Sequence, residues 1–196
     1  MAKTLLGWIS IGLTLWAFIP YIRSILANKI KPHFISWTIW AVSTLVVFVA
    51  QFLNGGGAGA WSIGVSGMIT LGIAGLAYGN RSDFSITTLD KACLVVAIAA
   101  IPLWVGMKTP LYSVILLTTI DMIGFIPTFR KAYFRPFEEQ VALYLIVMLR
   151  NGVSILALTQ YTVVTVLFPA LTGIGSLAVV GVILLRRKRG SDFSFW

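Results

Sequence analysis

The chain has 196 residues, of which 58% are hydrophobic and 11% charged, with a mean hydropathy of +0.93 and a formal net charge of +9. Soluble domains hold about 45–50% apolar and about 25% charged residues, so this is the composition of an integral membrane protein and leaves no room for a large soluble catalytic domain. One cysteine, Cys93, excludes a disulfide framework or a cysteine-built metal site, and one histidine, His33, excludes most zinc and haem chemistry.

Seven apolar runs follow in chain order, at about 5–26, 34–53, 60–79, 89–107, 111–129, 139–160 and 162–185, each long enough to cross a bilayer with some tilt. Asn28-Lys29-Ile30-Lys31-Pro32 ends the first run, and Asn54-Gly55-Gly56-Gly57, read as a flexible loop, ends the second. Gly79-Asn80-Arg81-Ser82-Asp83 ends the third, Lys108-Thr109-Pro110 the fourth, and Arg135-Pro136 separates the fifth from the sixth. Only the short stretch Thr159-Gln160-Tyr161-Thr162 divides the last two. Lys3 and Leu5–Phe18 resemble a signal peptide, but Ile25-Leu26-Ala27 lacks the small residue a cleavage site needs, so the first run is expected to stay as a span.

The basic residues fall on one side of these spans. Arg23, Lys29, Lys31, Arg81, Lys91, Arg130, Lys131, Arg135 and the tail Arg186–Arg189 make twelve, against Lys3 and Lys108 opposite. This asymmetry predicts an outside N-terminus and a cytoplasmic C-terminus in a cell membrane, read here as a bacterial cytoplasmic membrane. It also accounts for the charge without nucleic acid; the tail would serve as a topology anchor or touch acidic lipid.

Two motifs repeat. Phe18-Ile19-Pro20 returns as Phe125-Ile126-Pro127, each followed three residues later by an arginine, Arg23 or Arg130, and then by a second proline, Pro32 or Pro136. Ser82-Asp83-Phe84-Ser85 returns as Ser191-Asp192-Phe193-Ser194 at nearly the same offset. The expected architecture is therefore all-α, with seven transmembrane helices in a 3+1+3 arrangement. Residues 1–88 form one triple-helix bundle, 89–107 a linker helix, and 108–196 a parallel second bundle with a basic tail.

Pro20-Tyr21-Ile22-Arg23 and the later Lys31-Pro32-His33-Phe34-Ile35-Ser36 resemble the PQ-loop pattern, with Tyr21 and Thr128 at the glutamine position of the two copies. With the 3+1+3 layout, the chain is identified as an atypical prokaryotic member of the superfamily of SWEET sugar facilitators, lysosomal cystine and cationic amino-acid exporters, and nicotinamide-riboside transporters. Of the spans where SWEET facilitators carry prolines, the first and fifth have one here, Pro20 and Pro127. The resemblance implies a transporter for a small polar solute, facilitated or proton-coupled. The alternative on the same fold is a non-transporting receptor or partner-binding protein. Nothing in the sequence points to an enzyme, a cofactor or a metal, and besides membrane lipid the expected partner is a small molecule. A monomer would hold a whole pathway, and a homo-oligomer is left open.

Ionisable residues inside a membrane are costly and mark function by default. Two lie deep: Asp121 in the fifth span, roughly 12 Å from its cytoplasmic end, and Arg150 in the sixth, roughly 18 Å from its own. They form either a salt bridge locking two helices or a pair lining a central cavity, and the first repeat has no counterpart at the matching positions, near Thr14 and Val46. Asn151 offers a donor and an acceptor beside Arg150. Trp37 and Trp40 share one helix face, either as an interfacial belt or as a stacking wall for a ring. Pro20 and Pro127, with Tyr21 and Thr128, are gate or hinge candidates. Gln51, Trp61 and Gln160 fall near the outer surface, where they could form a vestibule. Gly64, Gly67, Gly72, Gly75 and Gly79 predict that the third span packs closely between the first two. His33 is expected to be a solvated interface residue, and Glu138-Glu139 to favour a helix N-terminus.

Overall fold

The computed structural model describes residues 1–79, 87–88, 91–92, 94–95, 98–99, 102, 106 and 110–192. They form six α-helices and no strand. These are α1 (Ala2–Leu26), α2 (Phe34–Leu53), α3 (Ala58–Gly79), α4 (Pro110–Phe134), α5 (Val141–Ala157) and α6 (Val163–Asp192), with a single 3-10 turn, Pro136–Glu138, before α5. The linker span predicted at 89–107, with Cys93, and both Ser-Asp-Phe-Ser copies lie largely outside the described residues. Four helices are long and apolar enough to cross a membrane: α1, α2, α3 and Val163–Lys188 of α6; α5 is a shorter apolar helix. Leu5, Trp16, Leu71, Ile174 and Leu184 face outward from them, as a lipid-facing surface requires.

Local chemistry sets the helix ends. Asn28 adopts a left-handed φ of 55°, and the Lys29 amide returns to the Ser24 carbonyl, closing α1. His33 caps α2, its Nδ1 accepting from the Ser36 amide at 3.4 Å. It is buried rather than solvated, because a capping side chain must turn back onto its own helix. The glycine stretch after α2 is a tight turn, not a slack loop. Gly55 and Gly57 take positive φ, and the Gly56 amide bonds Gln51 O at 2.8 Å. The short break before α6 holds because Thr162 and Thr165 cap each other, the Thr162 amide on Thr165 Oγ1 at 3.0 Å and the Thr165 amide on Thr162 Oγ1 at 3.3 Å.

Two elements outrun their predicted ends. α4 continues through Arg130 and Lys131 to Phe134, and α6 carries the basic tail in helical form to Asp192. Arg187 is more than an anchor, since its guanidinium donates to Pro136 O and Glu139 O.

The helices close into a ring. α3 packs between α1 and α2, and α6 packs between α4 and α5, while α1 meets α5 and α2 meets α4. Exchanging α1, α2, α3 for α4, α5, α6 maps these contacts onto one another. Arg23, Lys31, Lys131 and Arg187 gather at one end of the ring, here the basic end; Lys3 and the loops at 54–57 and 158–162 form the far end. Tyr78, at the close of α3, packs on Phe34 at the basic end, whereas α4 starts at the far end.

The glycines of α3 divide into two groups. A Cβ on Gly59 would lie 2.8 Å from Ser154 O and 2.9 Å from Leu158 N of α5, and one on Gly64 or Gly67 would meet Phe48 or Leu45 at 2.8 Å. Gly72, Gly75 and Gly79 face open space, so close approach explains the first half of the helix only. Gly59→Ala should therefore lower thermal stability in detergent by about 1–3 kcal/mol. Gly72→Ala should be neutral or stabilising by up to about 1 kcal/mol. Equal effects at the two positions would contradict this packing.

Candidate functional site

All six helices contribute to one cavity of about 50 Å³ inside the ring. Phe18 comes from α1, Trp37, Trp40 and Thr44 from α2, Ser66 and Thr70 from α3, Asp121 and Phe125 from α4, Tyr144 and Arg150 from α5, and Phe168 and Thr172 from α6. Small hydroxyl residues and aromatics alternate with the two charges the sequence singled out.

Asp121 and Arg150 both line this cavity and both are buried. They form no ion pair within 4 Å, so the helix-locking salt bridge is not what holds them. Asp121 is instead held by hydroxyls: Ser43 donates to Oδ1 at 2.7 Å and Thr172 to Oδ2 at 3.2 Å. Its backbone carbonyl accepts Trp40 Nε1 at 3.2 Å. Arg150 reaches the Ser62 carbonyl of α3 at 3.5 Å, and its Nε meets no acceptor. Because α4 extends to Phe134, Asp121 lies deeper than expected, roughly 20 Å from the basic end of its helix, while Arg150 is roughly 14 Å from the basic end of α5.

Trp37 and Trp40 are only 4% and 8% exposed, which rules out the belt reading, since a belt tryptophan presents its ring to the headgroups. Trp37 stacks on Tyr21 at 5.2 Å between centroids and meets Trp40 edge-on at 5.5 Å. Trp40 lies 4.9 Å from Phe125 across the α2–α4 seam. That seam is narrow because Gly124 has no side chain; a Cβ there would lie 2.8 Å from Trp40 Nε1. Asn151 is brought elsewhere. It turns toward α6, near Gly173, and its amide donates to Val147 O within its own helix at 3.0 Å.

Apolar side chains pack toward each end of the cavity. Val47, Ile63, Leu117 and Phe168 pack together toward the far end. Beyond them Gln51 Nε2 donates to Thr165 O at 2.9 Å, so Gln51 is a buried tie rather than part of a vestibule. Pro169 supplies the reason: it has no N–H for the carbonyl four residues back, and Gln51 occupies that orphaned acceptor. Trp61 packs against Trp8 at 5.7 Å instead.

At the basic end Tyr21, Ile25, Leu143 and Ile183 belong to the main apolar core. Thr128 Oγ1 donates to Ser36 Oγ at 3.3 Å, bridging the halves next to Pro127. Pro20 is exposed and Pro127 buried, and neither lines the cavity. Lys131 donates to the Lys31 carbonyl of the opposite half and pairs with Glu139 at 3.0 Å. Glu139 Oε2 in turn accepts Tyr144 Oη, also at 3.0 Å. Glu139 thus belongs to a buried pair rather than to a helix N-terminus, while Glu138 makes only a loose, exposed contact with Arg135 at 3.8 Å.

Ser43, Thr172 and Pro169 are participants that sequence reading passes over, and Lys131 and Glu139 are ones it places in other roles. The first two carried no signal beyond being hydroxyls in apolar runs, but a lysine and a glutamate flanking one short turn, Lys131 and Glu139, were a readable pair. Compared with protein-family models, curated proteins and solved structures, the chain matches none.

Removing one partner of a buried ion pair strands the other charge. Lys131→Met or Glu139→Leu alone should each cost about 3–5 kcal/mol of unfolding free energy, and the two together less than the sum. Additive losses in such a double-mutant cycle, measured in detergent, would show the pair to be energetically uncoupled.

Proposed function

We propose that this chain is a membrane transporter. It moves a small polar solute by alternating access through the cavity between two parallel triple-helix units, α1–α3 and α4–α6, by facilitated diffusion or coupled to protons. The observation that carries this reading is the cavity itself. It is a small space inside an apolar bundle, mainly apolar and aromatic in its lining but carrying two charged and several hydroxyl side chains, lined from every described helix and flanked at each end by a tie between the halves. Buried charges that do not pair are expensive in a scaffold and are what a solute pathway needs.

The 3+1+3 layout belongs to the same proposal. The matching contact pattern of the two halves supports it, and so do the ends of the connection, which leaves α3 at the basic end and enters α4 at the far end. The basic end is then cytoplasmic, and the likeness to the PQ-loop pattern around Pro20 and Pro127 fits a pair of hinges there. Opening toward the cytoplasm would release Lys131 from Lys31 and Thr128 from Ser36. Opening outward would release Gln51 from Thr165.

Site-directed labelling tests this. In a Cys93→Ser background, Thr70→Cys places a thiol in the cavity. Lys131→Ala should raise its labelling several-fold by an impermeant reagent added from the basic side, and Gln51→Ala by reagent from the far side. A thiol shielded from both sides in every variant would overturn alternating access. If transport is proton-coupled, Asp121→Asn should abolish accumulation in proteoliposomes while sparing exchange, and unchanged accumulation would remove the coupling.

A further inference from the structure

The same cavity carries an inference about what enters it. Arg150 has five N–H donors and stays charged, yet it makes one long contact, to Ser62 O at 3.5 Å, and its buried Nε has no acceptor. Asp121 receives two hydroxyl donors and, as a carboxylate, keeps acceptor capacity beyond them. Both face one small space without pairing with each other.

An anion there would satisfy Arg150 and leave Asp121 facing a like charge, and a cation would do the reverse. A neutral polyol would compensate neither charge. A molecule carrying both signs gives each group a direct partner at once. The aromatic wall points the same way. Trp40 gives its indole N–H edge to the Asp121 backbone carbonyl and lies against Phe125, so aromatic rings line the same cavity as the carboxylate, and an ammonium there has both within reach. A cavity of about 50 Å³ admits roughly four water-sized groups, the scale of a small amino acid.

We infer that the solute is a small zwitterion, bound with its carboxylate against Arg150 and its ammonium between Asp121 and the aromatic lining. This rests on the transport reading for its direction of travel, but the binding can be read separately. Purified protein would be titrated with glycine, alanine, β-alanine and 4-aminobutyrate, and with the half-molecules propionate and ethylamine and the polyol glycerol. At least one zwitterion should bind ten-fold or more tighter than either half-molecule. In Arg150→Gln ethylamine should bind as well as that zwitterion, and in Asp121→Asn propionate should.

Should either variant fail to fold, the wild-type series decides alone. A half-molecule or glycerol binding as tightly as the best zwitterion, or no zwitterion binding, overturns the inference. Counterflow in proteoliposomes separates the two claims. A bound zwitterion that is never exchanged refutes transport and leaves the site assignment standing. Exchange of glycerol or a sugar in place of zwitterions leaves transport standing and refutes the assignment.

Discussion

A carboxylate in the middle of an apolar bundle must be given donors, and supplying them to Asp121 fixes how three helices meet. Ser43 of α2 and Thr172 of α6 each bring a hydroxyl to one of its oxygens, and Trp40 of α2 takes its backbone carbonyl. The two from α2 cannot be made unless α2 lies almost against α4, which is why Gly124 sits where any side chain would strike the Trp40 ring. The α2–α4 seam, one of the two joins between the halves, is therefore set by a polar requirement at its centre. The other join, α1 to α5, is pinned beside the second charge, where Ser10 Oγ donates to the Arg150 carbonyl at 3.2 Å.

Away from this middle layer the halves are tied differently at each end. The far end relies on a backbone carbonyl released by Pro169 and taken by Gln51, with Ser154 on Gly59 O at 2.6 Å and Lys3 on Leu158 O nearby. The basic end relies on charge: Lys131, paired with Glu139 of its own half, donates to the Lys31 carbonyl of the other, while Arg187 holds the Pro136 and Glu139 carbonyls within the second half. Ties of both kinds have water as an alternative partner once exposed, whereas the apolar plugs beneath them do not. Separation at either end is then governed by how much apolar surface it would expose.

What the sequence made legible was whatever periodicity or composition carries. The positions of six helices follow from apolar runs and their breaks, and α2 was read to the residue. The deep charges were readable because their cost makes them rare. Partnership across the ring was not readable, although Lys131 and Glu139 flank one short turn. Arg130 and Lys131 looked like a helix end because charge ends membrane runs, but Lys131 stays helical since Glu139 and a carbonyl from the other half receive it. Trp37 and Trp40 looked interfacial by their distance from the helix start; the ring closes over them, and a one-dimensional reading contains no ring. The glycines of α3 look alike in sequence, yet only those facing α2 and α5 have a neighbour to admit.

The ring also separates symmetry of shape from symmetry of chemistry. Helix contacts in one half map onto the other, so the packing alone would give a cavity with two equivalent faces. The side chains break that equivalence. Both charges come from the second half, on α4 and α5, while two indoles and the hydroxyl of Ser43 come from α2 of the first. The position in α1 corresponding to Asp121 is near Thr14, whose hydroxyl is spent on the Ser10 carbonyl at 2.8 Å. The asymmetry lies in the charges and the indoles alone, since phenyl and phenol rings reach the cavity from both halves. A change in how the halves meet would therefore move the two indoles relative to the charges and leave the charges together.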